Sequence, residues 1–392
     1  MKVYIGSFLE KFKLSGEHAD LQSLIRQLKL QKVDVRYISE NSPKYSGNNF
    51  VINKTANLLL GYFGESLKLL IKIRKLPSGS IVLIQLPSPG FAILTDFLKA
   101  LTAKKEFHLV VLFAGVCITE PAKVFKDIFS RNCNYYFIRL LINNQLFPKL
   151  YRFNADAYVA TSELHKNQLL QFGVCNEKII KINNVFDKKF QIVVEEEINK
   201  KRKSYSILGK SLTYIGHFLH NKGVDVAIKA FSEYSKIDPG CKLILCWSGL
   251  GDIELVKKNI APFKGKVVLL NEVEIGEIFS ISNILLAPYL YDNATNLYPR
   301  ILLEAFAFGI PVISTDILII KELCCYKGEE TLLMAKPSDP KDLVRLINIL
   351  INDKLKISKM IKAQKDFMEN RFASDKTTTQ FIKLFESLQN GN

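Results

Sequence analysis

The chain has 392 residues, of which 48% are hydrophobic and 23% charged, with a formal net charge of +16. That length accommodates two domains with separate cores, and that composition excludes a disordered chain. The seven cysteines are an odd number without CxxC spacing or a Cys/His cluster, which points to reduced thiols in a cytosolic protein.

The N-terminal "MKVYIGSFLEKFK" alternates like a strand and reaches charge too early for the apolar region of a signal peptide. The longest apolar runs, "SIVLIQLPSPGFAIL" and "HLVVLFAGVCI", are short or broken by polar residues, prolines and glycine. A membrane span needs about 18 clean apolar residues, so no crossing is expected. In chain order the first half predicts strands at 2–8, 33–39, 80–86, 108–114 and 157–161, with helical stretches at 17–31, 89–104 and 119–145 between them. Near-continuous apolar strands separated by helices require a parallel sheet covered on both faces. A charged block, "EEEINKKRKS", reads as a linker or an exposed helix. The pattern then restarts with strands at 211–217, 242–249, 267–270, 283–289 and 311–315, and 339–388 carries three helical patterns. The expected fold class is α/β, with two doubly wound domains facing each other across a cleft. The expected boundaries are 1–190, 191–372, and a final helix, 373–392, able to cap the second domain or reach back to the first. Up to residue 190 the chain holds 27 Lys and Arg against 14 Asp and Glu, and the remainder holds 27 against 24. The basic excess lies in the first half and suits a polyanionic partner or an anionic membrane surface.

In "NLYPRILLEAFAFGIPVIST" one residue is out of place. Glu304 is a carboxylate between Ile301, Leu302, Leu303 and Ala305, Phe306. A buried ionised carboxylate without partners is very costly, so Glu304 must reach a partner, water or a ligand. Asn296 near the start, Pro299 in the first turn and Gly309 as C-cap predict a helix from about 299 to 308. Its N-terminus follows a strand and offers free N–H groups to a phosphate. Glu304 lies roughly 7.5 Å further along the helix, suited to accepting hydrogen bonds from ribose hydroxyls. A second phosphate device is "YIGHFLHNKGVDVAIKAF", in which Gly216 allows close backbone approach and Lys222 supplies a cation. A third is "SGLGD", with Gly249, Gly251 and the N-cap Asp252. Together they point to a nucleoside diphosphate.

The segments "TYIGHFLHNKGVDVAIKAF", "LILCWSGLGD" and "APYLYDNATNLYPRILLEAFAFGIPVIST" resemble the family 4 retaining glycosyltransferases of the GT-B fold. "ADAYVATSELHKNQLLQFGVCNEKIIKINNVFD" and "SGEHADLQSLIRQLKLQKVDVRYIS" are similar to more divergent parts of that pattern. The resemblance implies a donor domain at 191–372 and an acceptor domain at 1–190. In it Lys222 holds the diphosphate, Glu304 the ribose, and the Asn296, Leu297 and Tyr298 loop offers N–H groups to phosphate and sugar. It implies a nucleotide-sugar donor, retention, a glycan or lipid-phosphate-linked acceptor, and no metal. This sequence departs from the family at Asn296, where a carboxylate is usual. It departs again at His217, where an arginine is usual and histidine is a weaker, pH-dependent cation, and at Gln85 and Ala114, where histidines often stand. The departures keep a catalytically inactive homologue open as the alternative.

Gly16 and His18, in the loop after the first strand, are acceptor-side candidates with Gln85 and Arg139. His165 and His220 read as surface residues rather than ligands. The stretch 134–153, "NYYFIRLLINNQLFPKLYRF", interleaves aromatics with Arg139, Lys149 and Arg152, as a membrane-interface element does. That combination suggests a cytoplasmic protein working at the membrane face. A pI near 9.3 alone suggests nucleic acid, and without a stacking or recognition-helix motif none is expected.

Overall fold

The computed structural model describes residues 1–7, 16–38, 69, 71–86, 107–115, 154–187, 194–271, 273–292 and 297–391. The helical stretches at 89–104 and 119–145 and the aromatic, basic stretch at 134–153 lie outside the described residues. The chain divides into two compact units, Met1–Asp187 with Phe372–Asn392, and Lys188–Arg371.

The first unit is built on a parallel sheet of β1 (Lys2–Ser7), β2 (Asp34–Tyr37), β3 (Ser80–Leu86), β4 (Phe107–Phe113), β5 (Ala157–Ala160) and β6 (Ile179–Lys181). Their order is β2-β1-β3-β4-β5-β6. β3 is buried along its whole length because both faces are covered. On one face α1 (Gly16–Leu30) contributes Leu21, Leu24, Ile25 and Leu28. The last helix, α10 (Ser374–Gln389), adds Phe381, Leu384 and Phe385 to the same cluster. The other face holds Leu69, Ile73, Tyr158 and Leu169. α2 (Glu163–Gln171) starts at Ser162, whose hydroxyl caps the His165 N–H at 3.0 Å. β6, a short strand at the sheet edge, has no counterpart in the sequence reading.

The second unit opens with α3 (Glu195–Ser204), the charged block, which is an exposed helix with no buried residue. Its three leading glutamates and its closing Lys201, Arg202 and Lys203 oppose the helix dipole favourably. Then come β7 (Ser211–Phe218), α4 (Val224–Ile237), β8 (Lys242–Gly251), α5 (Ile253–Ile260), β9 (Val267–Asn271), α6 (Ile275–Ser280), β10 (Ile284–Leu286), α7 (Arg300–Phe308) and β11 (Val312–Thr315). A small hairpin of β12 (Cys325–Tyr326) and β13 (Glu329–Glu330), the strand β14 (Leu333–Ala335), and the helices α8 (Pro340–Asn352) and α9 (Lys354–Arg371) complete it. The main sheet runs β14-β11-β10-β7-β8-β9 and is parallel throughout. The chain steps outward in one direction from β7 and in the other from β10. Strand order therefore reverses between β7 and β10, and ligands of such sheets bind beyond the carboxyl ends at that reversal. Of the three closing helices, α8 and α9 belong to the second unit and α10 to the first. Among the described residues no helix is long and apolar enough to cross a membrane.

Candidate active site

β7 is irregular between Gly216 and Phe218, pairs with β8 a last time at Phe218, and turns through a single 3₁₀ turn, His220–Lys222, into α4. Gly223 joins turn to helix at φ 73°, and a Cβ there would lie 1.8 Å from the Pro288 carbonyl oxygen at the exit of β10. Only glycine allows both the left-handed backbone and that approach. The two loops are tied together by the Leu290 N–H, which donates to the Asn221 carbonyl at 3.0 Å. The Lys222 ammonium stands 5.2 Å from the Tyr289 ring centroid, a cation–π contact. The cation thus sits where strand order reverses. A Cβ on Gly216 would meet nothing closer than the Tyr214 hydroxyl at 3.6 Å. Gly251 is pressed as closely as Gly223, its Cβ falling 2.2 Å from the Phe218 carbonyl oxygen.

β8 continues through Gly249 and Gly251, both with positive φ, and ends at Asp252, which caps α5 through the Leu255 N–H at 2.9 Å. Ser248 lies on this stretch, with its Oγ 2.6 Å from His217 Nδ1. Burial first, and the Lys222 charge second, push His217 down to about 4. The expectation that His217 is a pH-dependent cation is therefore corrected. At neutral pH it is an uncharged hydrogen-bonding group held against Ser248.

α7 is apolar on most sides, with Leu302, Leu303, Ala305 and Phe306 buried, and it ends at Gly309 with φ 88°. Phe306 packs edge-on against Phe367 of α9, with ring centroids 5.9 Å apart. Glu304 is 6% exposed. Its Oε1 accepts from the Arg300 Nε, 3.3 Å away and one turn earlier. Arg300 was missed by the sequence reading, which treated the segment as uninterruptedly apolar. The i,i+4 spacing of "RILLE" was the available signal. Before α7, Leu297 and Tyr298 are buried. Tyr298 holds φ 52°, uncommon for a bulky residue, and its hydroxyl donates to Glu322 Oε2 at 2.7 Å. Asn296 lies outside the described residues.

Gly216, His217, Lys222, Gly249, Gly251, Leu297, Tyr298 and Glu304 thus belong to one unit, at the carboxyl ends of β7 and β8 and on the turn and helix that follow β7 and β10. The acceptor-side candidates lie in the other unit. Gly16 and His18 lie in the first turn of α1 rather than in a loop, as the helical stretch expected from residue 17 already implied for His18. Gln85, in β3, accepts from the Ser7 hydroxyl at 2.9 Å. Arg139 lies outside the described residues. His165 is fully buried rather than at the surface, tilted against Phe113 at 5.5 Å. His220 is half-buried, 3.4 Å from Asp225.

Comparison with known proteins agrees with this anatomy. The family model described as glycosyl transferases group 1 matches residues 197–371. An exopolysaccharide phosphotransferase of Streptomyces coelicolor is 26% identical over 237 residues, 59% of this chain. The match spans 23% of that relative's length. Among solved structures, Anabaena HepE in complex with UDP-glucose superposes with a TM-score of 0.69 at 16% identity, covering 99% of this chain and all of that one. Sucrose-phosphate synthase from Thermosynechococcus elongatus gives 0.73 at 15% identity, with full coverage of both. At such identities the likeness carries the fold alone, and the fold is GT-B: two doubly wound α/β domains.

Proposed function

We propose, from the premise that residues 197–371 form a domain of the glycosyl transferases group 1 family, that this chain moves a sugar from a nucleoside-diphosphate donor to a hydroxyl acceptor. The observation that carries the reading is the Lys222 cation standing over Tyr289 at the reversal of strand order. There a diphosphate would meet a point charge and the N-terminus of α7 together. Glu304 then accepts hydrogen bonds from the ribose, and the Asn296, Leu297 and Tyr298 loop carries the sugar. HepE was solved with UDP-glucose, which makes a UDP-hexose the first donor to try.

The reaction retains the anomeric configuration. The bond from C1 to the β-phosphate oxygen breaks as the acceptor oxygen bonds to C1 on the same face, and the acceptor proton passes to the departing phosphate. Lys222 and the helix terminus stabilise the charge that grows on the leaving group, so no metal is required. The acceptor is a glycan or a lipid-linked glycan, and the basic excess of the first half suits work at an anionic membrane surface.

Calorimetric titration with UDP, GDP and ADP tests the donor reading. One of them should bind at micromolar concentration, and Glu304→Gln should weaken it on the order of tenfold by removing a charged acceptor. If none binds to the wild type, the reading fails. The neutral His217 favours a second reading, a binding homologue without turnover. Release of nucleotide from any activated sugar in the presence of acceptor would exclude it.

A further inference from the structure

We infer that Arg300 is a positioning residue: it holds the Glu304 carboxylate in the orientation that reads a ribose. The inference rests on the donor reading above and adds to it a residue that reading does not use. Both side chains are largely withdrawn from water, with 13% and 8% of their surface exposed. They meet through Nε and Oε1 at 3.3 Å.

Helix stability does not explain the pair. Arg300 is the first residue of α7, where the helix dipole opposes a cation, and Glu304 is the middle one of its nine residues, where neither helix end compensates for its charge. Ion pairs along a helix are favoured in the reverse order, with the acid first. Desolvating both ends costs more still. A pair that runs against the dipole inside an apolar helix serves something other than that helix. A carboxylate has about four acceptor positions, so a ribose adds to the arginine contact rather than replacing it. The arginine fixes which oxygen faces which way.

The test uses the full chain and compares UDP, GDP and ADP with their 2′-deoxy counterparts by calorimetry. The wild type should prefer the ribonucleotide by about tenfold, one charged hydrogen bond. Arg300→Met should bring that ratio close to one, Arg300→Lys should restore part of it, and Arg300→Met in the Glu304→Gln background should change it no further. A merely structural arginine would lower the melting temperature and weaken both nucleotides alike. An unchanged ratio in a folded Arg300→Met variant would therefore overturn the inference and leave the donor reading intact. Absence of nucleotide binding in the wild type would overturn both. Should Arg300→Met not fold, Arg300→Lys decides: it retains a cation with different reach, and a wild-type ratio of one already refutes the role.

Discussion

At the scale of single residues, two histidines separate what their position suggests from what their surroundings allow. Burial lowers His165 to about 3, and burial with the Lys222 charge lowers His217 to about 4. An unfolded histidine titrates near 6.5. Below that pH the unfolded chain binds more protons than the folded one, so stability is lost as pH falls from about 6.5 toward 4 and is untouched above it. His165 is the cleaner case, being fully enclosed with no partner for its Nε2. Acidification from pH 6.5 to 4.5 should cost on the order of 2–3 kcal/mol through it. Melting curves of wild type and His165→Gln across that range should show a shallower pH slope in the variant, whatever its stability at pH 7. Parallel slopes would mean that His165 does not carry the acid lability. For His217 the consequence is functional. Nucleotide affinity should show no histidine step between pH 6 and 8, and a step there that disappears in His217→Asn would contradict the neutral assignment.

At the scale of elements, the loops after β7 and β8 depend on two glycines for different reasons than their neighbours. Gly223→Ala brings a Cβ against the Pro288 carbonyl, and Gly251→Ala against that of Phe218. Gly265 has a similar φ of 79° but open space around it. Gly265→Ala should therefore cost only the backbone term, about 1 kcal/mol. Gly223→Ala should lose well over twice that, and its nucleotide affinity with it, because Lys222 moves with the loop. Equal melting temperatures for the two variants would refute the close approach as the reason for Gly223. These elements also show what was legible in the sequence. Ten strands announced themselves as apolar runs, and the glycine after "RILLEAFAF" marked the end of α7. β6 and β14 stayed hidden because each is a short edge strand held by one neighbour, β5 or β11, whereas β10, equally short, lies inside its sheet within the longer apolar run "NILLAPY". Arg300 stayed hidden because Glu304 was asked for a partner outside its helix. The tight packing of Gly223 against Pro288 stayed hidden as well, since a strand exit is visible in a sequence and the carbonyl of a distant loop is not.

At the scale of the whole molecule, the second unit is an insertion in the sequence of the first: the chain leaves the first unit after Asp187 and returns at Phe372. α10 is part of the first core, with Phe381, Leu384 and Phe385 buried beside α1 and the sheet. Each such side chain is worth about 1.5–3 kcal/mol, so ending the chain at residue 371 removes a sum comparable to a domain's net stability. Calorimetry of that truncation should show the transition of the second unit retained and that of the first lost. A single unshifted transition would mean that α10 is dispensable. The return also sets a timetable. During synthesis the first sheet emerges whole yet lacks one flank, and it must wait while some 180 further residues are translated, on the order of ten seconds or more. Over that interval the apolar face later covered by α10 is open to chaperones and to other nascent chains. The second unit, contiguous in sequence, is free to fold as it leaves the ribosome, so the domain made later is the first to be finished.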